Sequence, residues 1–114
     1  MTAKFKGKQL WIGMVEVRAS NGGSDVLGTT KGAFVNVVTW ASGAAEFRRH
    51  AELVMNTLGK LFVIDVVDPE PVETRRARTK GHFEEDIEDM ISRARTNPDA
   101  IIYGTFHTYE KDDA

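Results

Sequence analysis

Cysteine is absent from the 114 residues, which excludes disulfides, thiol nucleophiles and thiolate metal sites and permits a reducing compartment. Proline is scarce: Pro69, Pro71 and Pro98 are all there is, so the chain has few fixed breaks and each marks a boundary. No sign of charge dominates, with 15 Lys and Arg against 17 Asp and Glu. That balance makes a protein devoted to nucleic acid or an anionic membrane surface a poor expectation. Long hydrophobic runs are missing as well. No window approaches the roughly 18 apolar residues of a membrane span. The opening "MTAKFKGKQLWIGMVEV" is interrupted by Gly13 and Glu16, which is unlike a signal segment. A cytoplasmic location is the default.

What is present is ordinary for a globular chain: 41% hydrophobic and 28% charged residues, expected as a single domain over 1–114. "QLWIGMVEVR" (9–18) and "GAFVNVVTWA" (32–41) are rich in β-branched and aromatic residues and read as strands. Phe47, Ala51, Val54, Met55 and Leu58 then recur at helical spacing, with Ser42 or Gly43 as the cap and Gly59 at the end. "KLFVIDVVD" (60–68) reads as a strand closed by Pro69 and Pro71. Phe83, Ile87, Met90, Ile91 and Ala94 repeat the helical stripe, with carboxylates in the first turn and arginines in the last. "AIIYGTFHTY" (100–109) is the expected closing strand, and 110–114 a solvated tail.

The repeated stripe predicts an α+β two-layer sandwich: two helices on one face of a four- or five-stranded, mainly antiparallel sheet. If "EPVETRRA" (70–77) is a short edge strand, the order is a ferredoxin-like βαββαβ with an added N-terminal strand. If it is not, the order is ββαβαβ. The stretch "KGAFVNVVTWASGAAEFRRHAELVMNTLG", the following "DPEPV" and "YGTFHTY" resemble small bacterial proteins of unassigned function over most of residues 31–109. The resemblance implies the two-layer α+β fold and carries no functional residue.

Motifs with chemistry are few. In "SNGGSDVLGTTKG" (20–32), Gly23 and Gly28 have the spacing of a phosphate loop, but Thr29 stands where lysine is required and a strand follows. A long mobile hairpin connection over 20–31 is the expectation. His50, His82 and His107 have no metal-site spacing, and no serine lies in a nucleophile elbow. No metal or cofactor is expected. "TRRARTK" (74–80) is followed at once by "EEDIED", which reads as a solvated charged edge rather than a nucleic-acid surface.

Alternation along the strands is more telling. Phe62, Ile64, Val66, Ile102 and Phe106 share one face, expected beneath both helices. The other parity collects Leu10, Ile12 and Met14; Phe34, Asn36, Val38 and Trp40; Val63, Asp65 and Val67; Tyr103 and His107. With helices on one side, that second face is bare, a larger patch than monomers tolerate. The leading expectation is a non-enzymatic interaction or regulatory module that associates through this face, as a homodimer or with a protein partner. Asn36, Trp40, Val63, Asp65, Tyr103 and His107 are its candidate interface or ligand residues. The alternative is a small-ligand protein or cofactor-free enzyme of the dimeric α+β barrel kind, with His107 as acid–base group oriented by Asp65, near Tyr103. Phe47 and Phe83 are expected to anchor the helices in one core.

Overall fold

The computed structural model describes residues 7–19, 32–59 and 61–109. The expected 20–31 loop and 110–114 tail lie outside the described residues. Among the described residues the order is β1 (Gln9–Ala19), β2 (Gly32–Ala41), α1 (Ala44–Gly59), β3 (Leu61–Pro71), α2 (Val72–Arg78), α3 (Glu85–Arg95), β4 (Ile101–Tyr103) and β5 (His107–Tyr109). The protein is α+β, with three helices and a five-stranded open sheet. The strands run β3-β1-β2-β4, and β5 also pairs with β2. Every pairing is antiparallel.

Two stretches depart from expectation. Residues 72–78 are helical, not an edge strand. Pro71 fixes the turn into the helix, Glu73 lies in its first turn, and Arg75, Arg76 and Arg78 lie in its last, each sign matched to the helix dipole. The closing strand is also split, because 104–106 leave the ladder while Gly104 N–H donates to the Asn36 carbonyl over 3.0 Å.

The ferredoxin-like order is not what the sheet shows. β2 and β3 run parallel on either side of β1, joined through α1. The slot between them, expected for a strand at 70–77, is filled by the N-terminal strand. β3 then lies at the edge opposite β4, antiparallel to it, and the α2–α3 connection crosses the other face of the sheet.

The helices therefore lie on opposite faces, which corrects the expectation of two helices on one. Phe47, Ala51 and Met55 of α1 pack with Val15, Val17, Val35, Val37 and Leu61. Ile87, Met90, Ile91 and Ala94 of α3 pack with Leu10, Ile12, Val38 and Val72. Successive side chains of β1 and β2 feed these two cores in turn. Phe47 and Phe83 belong to different cores. Phe47 is fully buried; Phe83 is half-buried beside the Arg76 guanidinium, 4.8 Å from its ring centroid.

α1 starts where Ser42 N–H, one residue ahead of the Gly43 cap, donates to Glu46 Oε1 over 2.7 Å. That bond holds the Glu46 carboxyl below its usual range. Gly13 lets the Phe47 ring lie flat on β1, since a Cβ there would stand 2.9 Å from Phe47 Cζ.

Candidate interaction edge

Among the described residues β3 pairs with β1 alone, so its other side is an edge of the described sheet. Its register against β1 slips twice. Glu16 faces Asp65 and Val17 faces Val63, leaving Ile64 as an extra residue. Ile12 faces Glu70 and Met14 faces Val67, where Asp68 takes a left-handed φ of 49°. Each bulge reverses the inside–outside parity. Leu61 and Val63 consequently join the α1 core, while Asp65 and Val67 lie on the α2–α3 face with Glu16 and Met14.

The bulged edge is apolar and open. Leu53, Phe62 and Ile64 are the large hydrophobic side chains exposed among the described residues, at 60%, 54% and 42%. Leu53 of α1 and Leu61, Phe62 and Val63 of β3 line a shallow groove of about 490 Å3 with Arg49 and Glu52 on its rim. Arg48 bridges the two elements. It donates to Glu52 over 3.1 Å and to the Val63 carbonyl over 3.4 Å. Two residues on, the Asp65 carboxylate accepts from Val66 N–H over 2.9 Å. Neither Arg49 nor Asp65 enters an ion pair among the described residues.

The residues singled out in the sequence scatter. Val63 and Tyr103 are half-buried against the α1 core, Tyr103 with its ring centroid 5.9 Å from that of Phe106. Trp40 is on the other face, where its indole N–H donates to the Ala94 carbonyl over 2.7 Å, closing the end of α3. Asn36 lines a small cleft against α2 and α3 with Ile12, Thr79, His82 and Phe83. Asp65 and His107 are exposed and share a row across the sheet, Asp65–Glu16–Phe34–His107. Three strand spacings separate them, about 14 Å. Their strands do not adjoin, so the condition for Asp65 to orient His107 is not met.

The second face is not bare. α2 and α3 cover Leu10, Ile12 and Val38, which removes the whole-face argument for association. At its other end Tyr109 reaches over Gly32, packs at a tilt against Phe34 with ring centroids 5.5 Å apart and donates to the Glu16 carboxylate. Burial first, then that hydrogen bond, pushes the Tyr109 hydroxyl up.

Glu70 anchors α2 through ion pairs with Arg75 (2.6 Å) and Arg78. Burial raises its carboxyl, but the two arginines outweigh this and hold it below the usual range. Arg76 grips Glu88 with both terminal guanidinium nitrogens, at 2.9 and 3.1 Å, tying α2 to α3. Among the described residues no three His, Asp or Glu side chains gather as a metal site, and no helix is long and apolar enough to cross a membrane.

The exposed edge was missed by sequence reasoning because regular alternation puts Ile64 beneath a helix. The "DPEP" stretch marks the bulge at Asp68 near the end of β3, but nothing comparable marks the one at Ile64. No family model, curated protein or solved structure matches this chain.

Proposed function

We propose that this chain is a protein-interaction module that engages its partner through the outer edge of β3 and the adjoining side of α1. One observation carries the reading: Leu53, Phe62 and Ile64, the large hydrophobics left exposed among the described residues, converge on that edge. Scattered exposed apolar residues need no explanation, whereas three on the adjoining α1 and β3, with Leu53 and Phe62 lining one groove and Ile64 two residues along the same strand, do. The rim supplies charge of both signs from Arg49 and Glu52, as interaction surfaces do. A small-ligand or enzymatic site near His107, Asp65 and Tyr103 has no comparable support, because those groups lie at two edges and on two faces of the sheet.

The test is site-specific photo-crosslinking in cells, with a benzophenone side chain at position 53 or 62 and, as controls, at Glu85 or Arg93 on the exposed side of α3. Discrete protein adducts should form from positions 53 and 62. Equal adducts from the α3 positions, or none from the edge, would refute the reading.

A further inference from the structure

We infer that the occupant of the β3 edge is a second copy of this chain, seated by side chains and not by strand addition; this rests on the reading of that edge as an interaction surface. An incoming strand needs a regular row of free backbone groups. Here Arg48 already holds the Val63 carbonyl and the Asp65 carboxylate holds Val66 N–H, while the extra residue at Ile64 breaks the repeat between them. These are devices by which edges resist strand pairing. They leave the apolar side chains open while blocking the ladder.

The charges point to self-recognition. Arg49 on the rim and Asp65 on the edge are exposed, opposite in sign and outside any ion pair among the described residues. They cannot meet within one copy: Arg49 rides on α1, and Asp65 lies on the opposite face of the sheet with Glu16. The exposed Leu53, Phe62 and Ile64 belong to the same two elements, Leu53 and Phe62 beside Arg49 in the groove and Ile64 next to Asp65 on β3. A two-fold axis along the edge sets the α1 side of one copy against the other side of its partner. Arg49 then meets the partner's Asp65, Asp65 meets the partner's Arg49, and the apolar side chains close on each other. This is the reciprocal pattern of an isologous contact. The patch is on the order of a few hundred Å2 per copy, at the small end of interfaces, so the dimer is weak and exchanges rapidly.

Sedimentation equilibrium of the full chain from about 10 µM to about 1 mM should show reversible monomer–dimer behaviour. Arg49→Asp and Asp65→Arg should each weaken it about tenfold or more, by setting like charges opposite one another. Both positions are exposed, and far-UV circular dichroism checks that the variants stay folded. Mixing the two variants should restore association as a heterodimer, because each mismatched pair then finds its complement. A chain that stays monomeric throughout, single variants that associate like the parent, or a mixture that recovers nothing would each overturn the inference. Crosslinks from position 62 to a different protein, with a monomeric chain, would sink self-pairing and leave the edge reading standing. Absence of both crosslinks and dimer would sink the two together.

Discussion

A methyl group added at Gly13 would stand 2.9 Å from Phe47 Cζ and 3.2 Å from Pro69 Cα, with backbone on one side and a fully buried ring on the other. Gly13→Ala should therefore cost about 1–3 kcal/mol by overpacking. Urea unfolding measures it, and an unchanged midpoint would show that the ring moves aside freely. Phe47→Ala empties the centre of the α1 core and should cost about 3–5 kcal/mol, with the half-buried Phe83→Ala costing clearly less. The stripe that placed Phe47 inside was legible in the spacing of α1. The need for Gly13 was not, because it arises from a ring 34 residues away in the chain. His50 adds a pH term. Burial, first of all, holds its imidazole below the ordinary value, and Nδ1 lies 2.9 Å from the buried Thr39 hydroxyl. Glu46 pulls the other way, with Lys8 and Arg49 opposing protonation. The folded chain thus binds this proton less readily than the unfolded one. The stability it contributes is present above about pH 6.5 and is lost as pH falls through the lower folded value. His50→Gln should flatten that slope between about pH 7 and 5. A slope that survives unchanged would assign it to other groups.

At the scale of elements, α2 shows what composition hides. "EPVETRRA" carries a proline and four charges, which suits an edge strand as well as a short helix. Its helical form is settled by partners elsewhere: Glu70 before it, Glu88 on α3, and Val72 buried beneath. Glu70→Gln leaves Arg75 and Arg78 without their shared carboxylate and should cost about 1–2 kcal/mol. Much of the loss should persist in high salt, because the Glu70 carboxylate is mostly covered. Complete screening by salt would mark the pairs as surface decoration. β3 failed differently. Its existence was plain from "KLFVIDVV", but two bulges reversed parity, so Val63 turned inward and Ile64 outward. Val63→Glu should accordingly destabilise the fold as well as disturb the groove that Val63 lines, with a shifted unfolding midpoint as its signature.

For the whole molecule, the α+β class was legible from the change between alternating and helical periods, and β1, β2, α1 and α3 lie close to where those periods put them. The side of the sheet on which each helix sits was not. Two amphipathic stripes look alike in sequence whether they share a face or oppose each other. Only the pairing of β1 between β2 and β3 sends the second connection behind the sheet. The two cores share β1 and β2, so they should unfold together. Trp11 packs against the α1 core and Trp40 against the other. In Trp11→Phe and Trp40→Phe variants the remaining indole should report the same urea midpoint as far-UV circular dichroism. An earlier transition at Trp40 would show that the α2–α3 layer melts by itself.

That arrangement has a cost during synthesis. The two central strands are made before the helices that cover them: α1 follows directly, whereas α3 comes only after β3 and α2. At about 5–20 residues per second, the face that α3 covers waits several seconds longer than the face that α1 covers. A chain arrested before α3 emerges would display a sheet clothed on the α1 face alone.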